Sequence, residues 1–121
     1  MSTRIFFLIG LIFLFPIVAV KANETVSKKD WIEMMQAKIP SASCEEDLPF
    51  RKCFNITQNE CIETAIRGIN TCFKKISPKI PSKLKQPKDV EKWGALVGAC
   101  VARHFQGTLS AKIIDSPYCR Q

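Results

Sequence analysis

The chain of 121 residues contains six cysteines, all of which follow a long apolar segment at the N-terminus. They are Cys44, Cys53, Cys61, Cys72, Cys100 and Cys119. An even number of cysteines in a short chain with an export signal is typical of a disulfide framework, because disulfides persist in oxidising compartments. A core of this size is marginal on its own, and cross-links add stability. We therefore predict a disulfide-stabilised fold that consumes all six thiols.

The first 22 residues have the layout of a secretory signal peptide. Arg4 supplies a positive start, residues 5–20 are almost wholly apolar, and residues 20–22 (Val-Lys-Ala) suit a cleavage site. The alternative is an uncleaved membrane anchor, but Pro16 interrupts an apolar run that is shorter than the roughly 20 residues needed to span a bilayer. We predict cleavage, a single domain over residues 23–121, a secreted or periplasmic location, and no transmembrane span in the mature chain.

Capping residues and helical periodicity predict three helices in the mature chain. The first covers residues 27–39 and ends at Pro40, because the residue before proline is disfavoured in a helix. The second covers 57–76 and opens with a capping box, and the third covers 88–106 and ends at Gly107. Residues 23–26 are predicted as a loose terminus, and residues 41–56 as a loop with at most one helical turn. The tail from Thr108 is predicted to lie across the bundle as coil or a short helix, and residues 111–114 give the only, weak strand signal. The fold class is therefore an all-α, disulfide-stapled bundle of three to four helices.

Helical geometry restricts how the cysteines can pair. Cys61 and Cys72 share a face of the second helix, yet 1.5 Å of rise per residue separates them by about 16 Å along its axis. A disulfide requires Cα atoms within roughly 7 Å, so each of these cysteines must bond to another segment. Folding the third helix back around Ser82 brings Cys61 level with Cys100, which is our preferred pair.

The other two pairs follow less directly. If the first helix is antiparallel to the second, Cys44 can reach Cys72, and the tail can bring Cys119 to Cys53. Sequence alone does not choose among the pairings of six cysteines. A structural zinc site is disfavoured because the chain has no CxxC motif and its only histidine is His104, so we expect no metal and no cofactor.

A lysine-rich segment is the most informative surface feature. Residues 74–88 contain prolines that prevent regular structure and no acidic residue. A basic loop of this kind can contact an anionic surface or an acidic protein partner. The segment has no aromatic residue for base stacking, which argues against nucleic acid as the partner. The predicted basic surface consists of Lys74, Lys75, Lys79, Lys83, Lys85 and Lys88.

Four other features have ordinary structural explanations. His104 has no catalytic signature around it, and the acidic cluster at 45–47 lacks the ligand spacing of a calcium loop. Gly94 and Gly98 predict tight packing against another helix, with a dimer face as the alternative. Asn23 and Asn55 begin Asn-x-Thr acceptor patterns for glycosylation, which apply only in a eukaryotic source. We predict no catalytic residues and no enzymatic activity.

Several segments resemble small exported bacterial cysteine-rich helical proteins that have no assigned activity. They are the stretches 50–54 (Phe-Arg-Lys-Cys-Phe), the helix from Cys61 to Cys72, Ile80-Pro81, and the run from Trp93 to Cys100. The resemblance implies export and a helical fold, and it identifies no functional family. The sequence thus predicts a non-enzymatic binding protein, possible versions being an inhibitor or an immunity protein. The alternative is a membrane-active or host-directed factor that acts through residues 74–88.

Overall fold

The computed structural model describes residues 24–120, so the predicted signal peptide and Asn23 lie outside the described residues. The described chain forms the all-α bundle that the sequence predicts. Its helices are α1 (Lys28–Ser43), α2 (Pro49–Lys52), α3 (Gln58–Ile76) and α4 (Lys88–Thr108). Two short strands, β1 (Thr25–Ser27) and β2 (Lys83–Lys85), and two 3₁₀ turns, Ser77–Lys79 and Ser110–Lys112, complete the described part of the chain.

Helix α3 is the centre of the bundle, and both α1 and α4 pack against it. Its start is the predicted capping box: the Thr57 hydroxyl accepts from the Glu60 N–H at 3.1 Å, and the Glu60 carboxylate accepts from the Thr57 N–H at 3.0 Å. Its buried residues recur every three or four positions, so that it presents an apolar stripe to its neighbours. They are Cys61, Thr64, Ala65, Gly68, Ile69, Cys72 and Phe73.

Helix α1 begins as predicted, with the Ser27 hydroxyl accepting from the Asp30 N–H at 3.1 Å. The predicted end at Pro40 is wrong, because the helix continues to Ser43 with Pro40 inside it. An interior proline removes one helical hydrogen bond. In this helix the loss is offset because Pro40 is buried and because Cys44, directly after the last turn, is tied to α3 by a disulfide.

The N-terminal stretch and the lysine-rich segment form a small antiparallel sheet that the sequence analysis missed. Val26 of β1 stands opposite Leu84 of β2, and Leu84 is fully buried. Residues 23–26 are therefore not a loose terminus where they are described, and the prolines do not exclude a strand between them. The pairing joins segments almost 60 residues apart in the chain, which local sequence patterns do not reveal.

Three disulfides pair all six cysteines: Cys44–Cys61, Cys53–Cys119 and Cys72–Cys100. The expected pairs Cys61–Cys100 and Cys44–Cys72 are wrong, whereas the structure contains Cys53–Cys119 as expected. The antiparallel register of α3 and α4 centres near Gln86 instead of Ser82, although α3 ends at Ile76 and α4 begins at Lys88 as expected, so the connection does not turn at its midpoint. Cys72 therefore faces Cys100, and Cys61 is left for Cys44 at the end of the extended α1.

The tail from Thr108 lies across the end of the bundle near α2, as expected, without a full helix of its own. Helix α4 continues one residue beyond Gly107, and a 3₁₀ turn follows. An isolated β-bridge joins Ile113 to Phe54, and the exposed Asn55 donates its backbone N–H to the Lys112 carbonyl at 2.9 Å. The weak strand signal at 111–114 thus corresponds to one bridge.

Candidate interaction surfaces

The six predicted basic residues all lie at one end of the bundle, where α3 ends and α4 begins. Lys74 and Lys75 are in the last turns of α3, and Lys79 is in the following 3₁₀ turn. Lys83 and Lys85 are in β2, and Lys88 is the first residue of α4. All six side chains are exposed. We call this surface the lysine end.

The backbone of the lysine end is held in place from several sides. Successive side chains of a strand point to opposite faces, so burial of Leu84 directs Lys83 and Lys85 to solvent. The Gln86 N–H donates to the Glu24 carbonyl at 2.8 Å. Lys28 of α1 donates from Nζ to the Ser77 carbonyl at 3.1 Å and to the Ile80 carbonyl at 3.3 Å. The cationic side chains therefore project from a backbone that hydrogen bonds to β1 and α1 hold in place.

The lysines of this end have no carboxylate partners in the described residues 24–120. The three ion pairs there are Arg67–Glu63, Lys112–Glu60 and Arg120–Asp115. Asp89 is near the lysine end, but its carboxylate accepts from the backbone N–H of Lys85 at 2.8 Å. The six ammonium groups are therefore free to contact an external anion.

The acidic residues Glu45, Glu46 and Asp47 occupy the turn between α1 and α2, at the opposite end of the bundle. All three are exposed, and none forms an ion pair with another described residue. No group of three or more His, Cys, Asp or Glu residues among those described is arranged to hold a metal ion. The two ends of the bundle thus differ in charge.

Phe50 separates two cavities that the sequence analysis did not predict. The first, of about 200 Å³, is mostly apolar and lies between α1, α2 and α4; it is lined by Ile39, Ser43, Leu48, Phe50, Gly98, Val101, Ala102 and Phe105. The second, of about 240 Å³, lies under the tail and is lined by Pro49, Phe50, Cys53, Phe54, Gln106, Ile113, Tyr118 and Cys119. The sequence allowed a helical turn within residues 41–56, where α2 lies, but it gave no sign of the cavities, because their lining comes from distant segments.

Gly94 and Gly98 do not pack tightly against another helix, contrary to the sequence prediction. A β-carbon built at either residue would meet nothing within 4 Å among the described atoms. The close approach occurs instead at Gly68 of α3, against which the His104 ring packs. The Nε2 atom of His104 is buried without a hydrogen-bond partner in the described residues. Gly98 belongs to an open helix face at the first cavity.

Comparison with known proteins gives one family match. Residues 25–112, which include every helix and strand described above, match the model of a family described as the type II secretion system (T2SS) substrate NttA. A search of curated proteins and a search of solved structures each gave no match. The match agrees with the resemblance to exported proteins, and it supplies a named family where the resemblance gave none. In the described residues, no helix combines the length and apolar character needed to cross a membrane.

Proposed function

We propose that this chain, which belongs to the NttA family of type II secretion substrates, is a secreted non-enzymatic protein that binds anionic membrane surfaces through its lysine end. Secretion places the protein outside the cell that makes it. The disulfides suit that route, since they form in oxidising compartments such as the bacterial periplasm.

The observation that carries the proposal is that six exposed lysines, none of which has a carboxylate partner among the described residues, lie together at one end of the bundle. The backbone that holds them is fixed by hydrogen bonds from neighbouring segments. Each lysine near an anionic bilayer contributes about 1 kcal/mol of attraction. Because β2 and the 3₁₀ turn fix the backbone, little conformational entropy is lost when the surface binds. The absence of aromatic residues from the segment is compatible with electrostatic contact at head groups and gives no anchor for deeper insertion.

Vesicle co-sedimentation at two salt concentrations tests the proposal. The protein should sediment with vesicles that contain phosphatidylserine, and binding should fall steeply as salt rises, because exposed charges are screened over about 8 Å at physiological ionic strength. Lys83→Glu combined with Lys85→Glu should abolish sedimentation. Lys38→Glu combined with Arg103→Glu makes the same charge change at exposed residues away from this end and should retain most of it.

Equal loss in both double variants would mean that only net charge matters, which contradicts a defined surface. Binding to neutral phosphatidylcholine vesicles, or no binding at low salt, would also contradict the proposal. The immunity version has less support, since an immunity protein stays with the producing cell and a secretion substrate leaves it. An inhibitor of an extracellular protein is the alternative; immobilised protein should then capture one dominant partner.

A further inference from the structure

We propose that the groove on both sides of Phe50, which is mostly apolar between α1 and α4 and of mixed polarity under the tail, is a docking site for a basic amphipathic helix of a partner protein. We call it the Phe50 groove and define it by the residues that line the two cavities described above. It lies near the acidic turn 45–47, at the end of the bundle opposite the lysine end. It is therefore a second surface, and it does not depend on membrane binding.

The volumes of the two cavities indicate that each binds a single side chain of the partner. Sites for small molecules usually have volumes of about 300–1,000 Å³, whereas these cavities have volumes of about 200 and 240 Å³ with Phe50 between them. Each is suited to one large apolar side chain. An amphipathic helix supplies such anchors at regular spacing along one face, which is a common mode of recognition in apolar grooves.

The wall formed by α4 permits close approach of a helix. Gly98 and Ala102 stand one turn apart on this wall, and the space next to Gly98 is open. Small residues let a neighbouring backbone approach closely, as in other helix pairs. At the other end of the groove, Tyr118 is 62% exposed, and tyrosine is one of the residues enriched at protein interfaces.

The charge at the rim selects a basic partner. Glu45, Glu46 and Asp47 immediately precede Leu48, which lines the groove. The nearby Arg51 does not neutralise them by direct pairing, because its guanidinium donates to the carbonyl oxygens of Phe54 at 3.2 Å and Ile56 at 2.9 Å. Lys52 is the other cation of residues 45–52. Among the neighbours of the other lining residues, Lys112 and Arg120 are paired with Glu60 and Asp115. Lys38 and Arg103 are each rotated by about 100° on their helices from the lining residues Ile39 and Ala102, so the unpaired carboxylates of the turn are the local excess. Lysine or arginine residues beside the apolar anchors would complement the excess.

Titration of the secreted, disulfide-bonded protein with a designed peptide tests the proposal. The probe is a peptide of about 18 residues, or five helical turns, with leucines on one face and lysines on the other. Amide resonances of Leu48, Phe50, Gly98 and Ala102 should shift on binding. A leucine–glutamate peptide and a scrambled leucine–lysine peptide should leave these resonances unchanged, although the former is free to bind the lysine end.

A pair of glycine variants separates groove binding from effects on folding. Gly98→Ala adds a methyl group inside the groove, whereas Gly94→Ala adds one on the same helix outside the set of lining residues. We expect Gly98→Ala to weaken peptide binding about tenfold and Gly94→Ala to leave it unchanged. Replacing the acidic turn (Glu45→Gln, Glu46→Gln, Asp47→Asn) should weaken binding at low salt and flatten its salt dependence.

Several outcomes would overturn the proposal. They are no binding of the leucine–lysine peptide, equal binding of its scrambled form, shifts confined to the lysine end, or equal effects of the two glycine variants. Self-association is a further opposing outcome: if light scattering shows a dimer that Gly98→Ala dissociates, the occupant of the groove is a second copy. Vesicle binding is measured separately, so its failure leaves these results interpretable.

Discussion

The imidazole of His104 lies against the backbone of Gly68, so that a β-carbon added at residue 68 would stand 3.0 Å from its Cδ2 atom. This contact sets how closely α4 packs on α3, in the same antiparallel register that pairs Cys72 with Cys100. A β-carbon at residue 68 therefore fits only if the His104 ring shifts by a few tenths of an ångström. The glycines at 94 and 98 meet no such neighbour among the described residues.

We expect Gly68→Ala to give a less stable protein than Gly94→Ala. Alanine is more favourable than glycine in a helix interior by about 1 kcal/mol, and Gly94→Ala should keep this gain because the space around it is open. At residue 68 the added methyl group meets a ring that must move, and overpacking of this kind costs about 1–3 kcal/mol. Urea unfolding at neutral pH measures the difference.

A double-mutant cycle with His104→Ala tests the cause of that difference. Removing the ring should restore the benefit of alanine at residue 68, so the two replacements should be non-additive, as expected for residues in contact. If Gly68→Ala stabilises the protein as much as Gly94→Ala does, the His104 ring adapts freely and the packing argument is wrong.

Lys28→Met should destabilise the protein by about 1–3 kcal/mol, because hydrogen bonds to charged groups are worth about that much. The Lys28 ammonium donates to two carbonyl oxygens, those of Ser77 and Ile80, and so connects the start of α1 to the end of α3. Methionine keeps most of the aliphatic part of the side chain. Lys29→Met is the matched control, since Lys29 is exposed and surface changes usually stay within about 0.5 kcal/mol. Equal unfolding midpoints for the two variants would contradict the bracing role.

Protonation of the Glu60 carboxylate should make the protein less stable in acid. The hydrogen bond from the Thr57 backbone N–H, followed by the hydrogen bond from Lys112, lowers the pKa of Glu60. A lowered pKa in the folded state gives stability that is complete above the unfolded pKa, about 4.3 for glutamate, and is lost as pH falls through the folded value. Carboxyl NMR titration measures the pKa directly. In Glu60→Gln this part of the acid dependence should vanish; an unchanged profile would show that other groups cause it.

The local features of the fold were predictable from sequence, and the long-range ones were not. Thr57 and Glu60 are three residues apart, so their capping box is visible in the sequence, and the continuous helix that follows keeps Cys61 and Cys72 from pairing. The register of α3 against α4 does not follow from the ends of the two helices, and β2 within their connection pairs with β1 almost 60 residues away. A turn placed symmetrically at Ser82 therefore gives Cys100 the wrong partner.

The two candidate surfaces also differ in how far the sequence predicts them. Residues 74–88 form a run in the sequence, so the composition of the lysine end was visible before its shape was known. The Phe50 groove combines Ile39, Gly98 and Tyr118, which lie on three separate segments. Only the fold brings them together. Gly94 and Gly98 of α4 predict close packing because they have no side chains. The sequence does not show whether another segment covers that face of the helix.

Cys53–Cys119 should be the first disulfide reduced by a limiting concentration of thiol. Thiol–disulfide exchange requires access of the attacking thiolate to a sulfur atom. Cys53 and Cys119 are both half-buried, whereas Cys44 and Cys61 are 0% and 1% exposed. In the third pair, Cys72 is 1% exposed and only Cys100 is more accessible. Timed reduction, alkylation of the released thiols and peptide mass mapping would establish the order.

Loss of the Cys53–Cys119 bond should change the second cavity before it changes the bundle. Both cysteines line that cavity, and without the disulfide the tail is held there by non-covalent contacts, such as the hydrogen bond from the Ile114 N–H to the Cys53 carbonyl at 2.8 Å. The other two disulfides still connect α1 and α4 to α3. In Cys53→Ala/Cys119→Ala, amide resonances of the tail and α2 should therefore shift while those of α3 stay in place. Earlier reduction of Cys44–Cys61, or loss of the α3 resonances in this variant, would contradict the expected order and the peripheral position of the bond.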